Sequence, residues 1–134
     1  MATTIAQLTL TSTDLLSDSL AVSAVATLTG AGSSTGLTHT EGLGRKTLAS
    51  GHAQYTLFDG SSRTADKAHK IYLKNLSTTA AEYFLITVNG EDMGRLYAGD
   101  WAFFPWSAHD ADNDIKIDPS ANDMTLEYML FTDD

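Results

Sequence analysis

The sequence predicts an all-β fold, an antiparallel β-sandwich (jelly-roll-like) with an extended N-terminal arm or loop. Three observations predict it: short segments alternate apolar with polar residues, turn signals separate them at intervals of about 8 to 12 residues, and no segment shows a clear helical period. The 134 residues suit one domain. Within it we distinguish an N-terminal part, residues 1–52, from a sandwich body, residues 53–134.

Two strands are predicted at the start of the chain. Residues 5–10 and 20–28 alternate apolar with small polar side chains, which is the period of a half-buried strand. Residues 14–20 lie between them and fit either a further strand or a short helix capped by Ser12 or Thr13.

A long segment with little strand character follows, residues 30–51. It begins with a Gly- and Ser-rich stretch, residues 30–36, and contains the basic pair Arg45 and Lys46. Loops of this length are uncommon inside a compact domain. We therefore interpret it as an extended arm that is ordered by contact with another molecule, with an ordinary long surface loop as the alternative.

The body consists of seven predicted strands, at residues 55–58, 70–76, 82–88, 93–97, 101–105, 115–117 and 124–131. Residues 82–88 are nearly apolar on both faces, as in a central strand. Asn89 and Gly90 tolerate positive φ and predict a tight hairpin. Pro105 cannot donate a ladder hydrogen bond, so its strand ends there or lies at a sheet edge.

Alternation also predicts which side chains share a face. In residues 70–76, Ile71 and Leu73 share one face, and Tyr72 lies on the other. In the last strand, one face is formed by Met124, Leu126, Tyr128 and Leu130.

Composition excludes several classes of function. The eight Lys and Arg against seventeen Asp and Glu give a net charge of −9, which disfavours binding to nucleic acid or to anionic membranes. Cysteine is absent, which excludes disulfides and thiolate chemistry. Residues 109–134 hold eight acids and one base. This dipolar distribution suits head-to-tail contact with copies or with a complementary partner, and a solubilising surface is the alternative.

No motif predicts catalysis, a cofactor or a metal. The sequence lacks a P-loop and a Gly-x-Ser-x-Gly motif. A metal site built from His52, His69 and His109 would need a cupin-like arrangement across strands. Residues 110–114 resemble the start of a calcium loop but lack the Gly and Glu that an EF-hand requires. A solvated acidic loop is the simpler interpretation, and a looser calcium site between strands is the alternative.

The aromatic cluster at residues 101–106 is the main candidate for binding. Alternation places Trp101 and Phe103 on one face of the strand and Phe104 on the other, with Trp106 past the strand end. Aromatic residues exposed on a sandwich suit a protein interface. The predicted interface residues are therefore Arg45, Lys46, Trp101, Phe104 and Trp106. Packing of this cluster in the core is one alternative, and a carbohydrate-binding platform built from Trp101, Trp106 and Tyr97 is the other.

Four segments of the body carry a resemblance to known proteins: KIYLKNLS (70–77), FLITV (84–88), GRLYAGDWAFFP (94–105) and MTLEYML (124–130). They resemble the small β-sandwich virion proteins of tailed bacteriophages, especially those of cyanobacterial and marine phages. In those proteins a strand ending in N-x-S/T precedes a hairpin, a G-x-L-x-x-G-[DE] turn and a closing E-Y strand. The resemblance covers residues 53–132.

The resemblance implies a non-enzymatic structural part of a virion, assembled in the host cytoplasm. The implied part is a capsid decoration (cement) protein, with a neck, tail or fibre component as the alternative. Its implied partners are the major capsid protein or other virion proteins, and copies of itself, with a trimer favoured. It implies no cofactor, no nucleic acid and no membrane.

Overall fold

The computed structural model describes residues 3–30, 36–37, 39–65, 67–109 and 111–132. In these ranges the chain is nearly all β, with eleven strands and two short 3-10 helices, so the all-β prediction is confirmed. The strands are β1 (Ile5–Ser12), β2 (Leu20–Thr27), β3 (His39–Thr40), β4 (Gly44–Leu48), β5 (Tyr55–Phe58), β6 (His69–Asn75), β7 (Tyr83–Val88), β8 (Glu91–Tyr97), β9 (Trp101–Trp106), β10 (Ile115–Pro119) and β11 (Met124–Thr132).

The described strands form three antiparallel sheets. Strands β1 and β2 form a separate N-terminal hairpin. A four-stranded sheet has the order β5-β10-β7-β8. In a five-stranded sheet, β9, β6 and β11 lie side by side, and β3 and β4 both pair with different parts of β11.

One hydrophobic core includes residues of both larger sheets. The ring of Phe58 on β5 lies 5.9 Å from Trp106 and 5.8 Å from Tyr128, both on the five-stranded sheet. The buried members from the four-stranded sheet are Phe58, Phe84, Ile86, Leu96, Ile115 and Ile117. Those from the five-stranded sheet are Leu48, Ile71, Leu73, Trp106, Met124, Leu126 and Leu130.

The predicted faces and turns of the body are confirmed. Ile71 and Leu73 are buried, and Tyr128 packs on the core beside the buried residues of β11. Strand β7 lies inside its sheet, between β10 and β8. Asn89 and Gly90 both have positive φ, 52° and 72°, as a tight hairpin turn requires. Pro105 lies on β9, which is an edge strand.

Residues 39–40 and 44–48 differ from the prediction of an arm or loop, because they are strands of the five-stranded sheet. Gly44 lowers the strand signal, yet its position requires glycine. A Cβ there would lie 2.7 Å from the ring of Tyr128. Thr47 and Thr125 then link β4 to β11 through a hydroxyl contact of 2.8 Å.

The predictions for the N-terminal hairpin are confirmed in part. Both predicted strands form, but residues 13–19 make a turn, so the strand and helix predicted for residues 14–20 are both wrong. At the hairpin base, the Leu28 amide donates to the Thr4 carbonyl and the Leu37 amide donates to the Leu28 carbonyl, each at 2.9 Å. Leu28 and Leu37 are buried, which anchors this base.

Among the described residues, no helix has the length and apolar character needed to cross a lipid bilayer.

Candidate protein-binding surface

The five-stranded sheet turns one face away from the core, and this outer face carries an aromatic row. Tyr72 on β6 lies between Met129 of β11 and Phe103 of β9 in the strand register. Phe103 also meets Phe131 edge-on, with ring centroids 6.2 Å apart. All four side chains are only partly buried. The outer face therefore has a row of large apolar side chains across its centre.

A charged row crosses the same face next to the aromatic row. Glu127 on β11 is paired in register with Arg45 on β4 and with Lys74 on β6, and Lys74 is paired with Trp101 on β9. The Arg45 guanidinium donates to Glu127 Oε2 through Nε at 3.0 Å, and its Nη2 lies 3.0 Å from the same oxygen. The Tyr72 hydroxyl donates to Glu127 Oε1 at 3.0 Å. This carboxylate therefore ties three strands together.

These contacts change the acidity of the carboxylate and the phenol. The hydrogen bond from Arg45, followed by that from Tyr72, holds the pKa of Glu127 below its ordinary value of 4.5. Burial first, and then the hydrogen bond to Glu127, raises the pKa of Tyr72 above its ordinary value of 10.0. Both shifts favour the ionised carboxylate and the neutral phenol at neutral pH.

We expect part of the acid sensitivity of the fold to come from Glu127. Because its pKa is lowered in the folded state, its contribution to the free energy of unfolding is complete above the unfolded-state pKa. The contribution is lost as the pH falls through the folded-state pKa. Urea titrations between about pH 6 and about pH 3 should show a flatter stability profile for Glu127→Gln than for the wild type.

Arg45→Met should flatten the same profile partly, because the hydrogen bond from Arg45 contributes most to the shift. If Glu127→Gln kept the whole acid dependence of the wild type, this assignment would be wrong.

The N-terminal hairpin has one apolar face. Directly opposed residues of an antiparallel pair share a face, so the register places Leu8 with Ala24 and Leu10 with Val22. Neither eight-residue strand contains a charged residue. The apolar face consists of Ala6, Leu8, Leu10, Leu20, Val22, Ala24 and Ala26. Leu10 and Val22 are exposed, so the far half of this face is open to solvent.

A groove separates the near half of the hairpin from the outer face of the five-stranded sheet. Its volume is about 390 Å³. The hairpin wall is formed by Ala6, Gln7, Leu8, Ala24 and Ala26, and the sheet wall is formed by Tyr72, Trp101 and Phe103. Trp101 is 54% exposed. The groove is therefore apolar and accessible, which suits contact with an apolar partner better than with a sugar, whose hydroxyl groups need several polar partners.

The turn of the hairpin presents two leucines. Leu15 is 70% exposed and Leu16 is 59% exposed. Ser12 organises the turn, because its Oγ accepts from the Leu15 amide at 3.1 Å and donates to Asp14 Oδ1 at 3.0 Å. Exposed large apolar side chains at a loop tip are suited to insertion into a partner.

Trp106 and Phe104 differ from the prediction that they are exposed. Trp106 belongs to β9 and is 4% exposed. Its ring packs beside Phe58 and His69, and its Nε1 donates to the Asn113 carbonyl at 2.8 Å. Phe104 is half-buried and packs on the core. Alternation along β9 explains both positions, because the even-numbered residues face inward and Trp101 and Phe103 face outward.

The basic pair is divided between two environments. Arg45 is exposed and pairs with Glu127 on the outer face. Lys46 lies at the sheet edge, with its Nζ 4.9 Å from the ring centroid of Tyr55 on the other sheet. Neighbouring residues of a strand point to opposite faces, so these two do not form a single basic patch.

The histidines considered for a metal site do not come together. In the described ranges, no group of three or more His, Asp or Glu side chains is placed to hold a metal ion. His69 is buried against Trp106 with its Nε2 3.2 Å from the Thr64 carbonyl, whereas His52 and His109 are exposed. Of the acidic loop, Asp110 lies outside the described residues. Asp114 accepts a hydrogen bond from the Gly60 amide at 2.8 Å.

The binding residues predicted from the sequence do not include Leu15, Leu16, Tyr72 or Phe103. A signal existed for the two leucines, because they stand between Asp14 and Asp18 in a short polar segment that joins two strands. The contribution of Tyr72 and Phe103 depends on the pairing of β6 with β9, which local sequence does not reveal.

No protein-family description, curated protein sequence or solved structure matches this chain.

Proposed function

We propose that this chain is a structural protein of a tailed-bacteriophage virion, a capsid decoration (cement) protein that stabilises the shell through protein–protein contacts. The observation that carries the proposal is the N-terminal hairpin, whose uncharged strands project an open apolar face. A surface of this kind suits contact with another protein.

The N-terminal hairpin is a sheet of two strands only. A two-stranded sheet is marginally stable in water by itself. Here, among the described residues, β1 and β2 pair only with each other. Leu10 and Val22 gain little from burial within their own chain. Packing of this face on a neighbouring protein would supply the burial that the hairpin lacks, at about 25 cal/mol for each Å² of apolar surface removed from water.

The order of the strands supports a jelly-roll sandwich as the finer description of the body. Strands β4, β11, β6 and β9 lie in one sheet, and β5, β10, β7 and β8 lie in the other. Eight antiparallel strands arranged as two Greek keys are typical of jelly rolls, which occur in viral capsid proteins, lectins and cupins. Because one fold serves several functions, the support for a shell component comes from the hairpin and not from the body.

The distribution of charge agrees with a part that stays soluble until it assembles. The chain carries a net charge of −9, and like charge keeps free copies apart in solution. The two strands of the hairpin carry no charge, so contact of their apolar face with a shell would meet little electrostatic repulsion. A neck, tail or fibre component would use the same contact, and the particle to which the protein binds distinguishes these positions.

The test is co-sedimentation of the purified protein with empty shells, assembled from the major capsid protein of the phage that encodes it. We expect saturable binding at a fixed number of copies per capsomer. The double variant Leu10→Ser and Val22→Ser should weaken it by at least about tenfold, because it removes two apolar contacts of roughly 1 kcal/mol or more each.

The matched control is Thr9→Ala with Ser23→Ala, which changes a directly opposed pair on the other face of the same hairpin. Shell binding by this control should equal that of the wild type. Failure of the wild-type protein to bind either shells or tail assemblies would contradict the proposed function.

A further inference from the structure

The tip of the hairpin has a defined chemical pattern that the proposed function does not use. Leu15 and Leu16 project from the turn, and Asp14 and Asp18 flank them. The Ser12 contacts organise the start of this turn. The tip, residues 14–18, therefore presents two exposed apolar side chains between two negatively charged ones.

The groove has the complementary pattern. Its sheet wall is formed by Tyr72, Trp101 and Phe103. Lys70 and Lys74 lie two residues to either side of Tyr72 on β6 and share its face of the sheet. Neither lysine takes part in the ion pairs formed among the described residues, which join Arg45 to Glu127 and Arg63 to Glu41. The apolar sheet wall of the groove thus has a lysine on either side of Tyr72 along β6, and one of them, Lys74, also lies beside Glu127.

The spacings of the two patterns are compatible. Lys70 and Lys74 are four residues apart on a strand, which corresponds to about 13 Å between their Cα atoms. Asp14 and Asp18 are also four residues apart but lie in a turn, so their Cα atoms are closer together than the roughly 14 Å of an extended chain. The long, flexible lysine side chains can span the difference while the leucines enter the groove between them.

The tip of a given chain cannot occupy the groove of that same chain. Residues Ala6 and Leu8 of β1 line the groove, whereas β1 continues to Ser12 before the turn begins. Four further residues of extended strand carry the tip about 13 Å or more beyond the groove. The occupant that matches the groove is therefore the tip of another copy.

We propose that the hairpin tip of one copy inserts Leu15 and Leu16 into the groove of a second copy, with Asp14 and Asp18 pairing with Lys70 and Lys74. The contact joins two different surfaces of the chain, so it builds a reciprocal pair, a closed ring or an open filament, depending on the rotation between neighbouring copies. It goes beyond the proposed function because it requires only copies of this chain and no shell.

Light scattering after size-exclusion chromatography and sedimentation equilibrium test the proposal on the purified full chain. We expect an oligomer for the wild type, with a dissociation constant that rises at least about tenfold in Leu15→Ser with Leu16→Ser. Leu43→Ser is the matched control, since Leu43 is 60% exposed at another site. The control should associate like the wild type, and urea midpoints should show that all variants are folded. A wild-type chain that stays monomeric at every concentration would overturn the proposal.

Charge-reversal variants distinguish specific docking from non-specific hydrophobic association. Asp14→Lys with Asp18→Lys should abolish association, and so should Lys70→Glu with Lys74→Glu. A mixture of these two variants should associate again, because the tip of each variant then carries the charge opposite to that of the other variant's groove. The association should also weaken as salt is added. If the mixture stayed dissociated, the assigned pairing would be wrong.

Crosslinking locates the contact directly, because the chain has no native cysteine. One population carries Leu16→Cys and another carries Phe103→Cys. Mild oxidation of the mixture should give a disulfide-linked pair that contains one chain of each kind. Failure to form this mixed pair from associated protein would overturn the proposal. Shells take no part in these measurements, so their outcome is independent of the test of the proposed function.

Discussion

Phe84→Ala is expected to lower the free energy of unfolding by about 4 kcal/mol, since truncating a buried phenylalanine costs about 3 to 5 kcal/mol. Phe84 is fully buried on β7, in the core shared with the five-stranded sheet. Its strand is paired on both sides, with β10 and with β8. The surroundings can therefore do little to fill the cavity. A domain of this size is stable by only about 5 to 15 kcal/mol.

Urea unfolding followed by tryptophan fluorescence measures the effect. Leu85→Ala on the same strand is the control, because Leu85 is the next residue, points to the opposite face and is only half-buried. Its loss should be less than about half that of Phe84→Ala. A loss below about 1 kcal/mol for Phe84→Ala would mean that the two sheets do not share a core.

Asn75→Ala is expected to cost about 3 kcal/mol or more, because several buried polar groups lose their partners at once. Asn75 is fully buried at the end of β6. Its Nδ2 donates to the Leu96 carbonyl at 2.9 Å and to the Glu82 carbonyl at 3.3 Å, and its Oδ1 accepts from the Ser77 amide at 2.9 Å. The side chain thus connects β6 to β8 on the other sheet.

Asn122→Ala is the matched control for this prediction. Asn122 is exposed, and its Oδ1 accepts one hydrogen bond, from the Gly51 amide at 2.8 Å. The same substitution there should cost about 1 kcal/mol or less. Equal losses at the two positions, measured by urea unfolding, would contradict the role assigned to Asn75.

The role of Asn75 also gives a physical reason for the N-x-S/T pattern noted in the sequence. The asparagine carries the inter-sheet hydrogen bonds. The hydroxyl group of Ser77, two residues later, donates a hydrogen bond to the Glu82 carboxylate and accepts one from the Thr79 amide at 3.1 Å. Together these residues close the strand and start the next turn.

Local chemistry allowed much of the body to be predicted. Alternation identified the inward faces of β6 and β11, because the period of a strand is a property of consecutive residues. Asn89 and Gly90 predicted their hairpin because few residue pairs tolerate positive φ. The same local reasoning failed at β4, where Gly44 is required by the ring of Tyr128 from a distant strand.

The sequence by itself determined that the protein is all-β and acidic. It also determined that the two strands at its start are uncharged and that Trp101 and Phe104 lie on opposite faces of β9. Only the tertiary structure decided that Trp106 is buried, that Arg45 and Lys46 face different environments, and that Tyr72 and Phe103 form a groove with the hairpin. The physical reason is that side-chain alternation is set by neighbouring residues. The partner across a sheet or a groove comes from residues far away in the chain, and no local period records it.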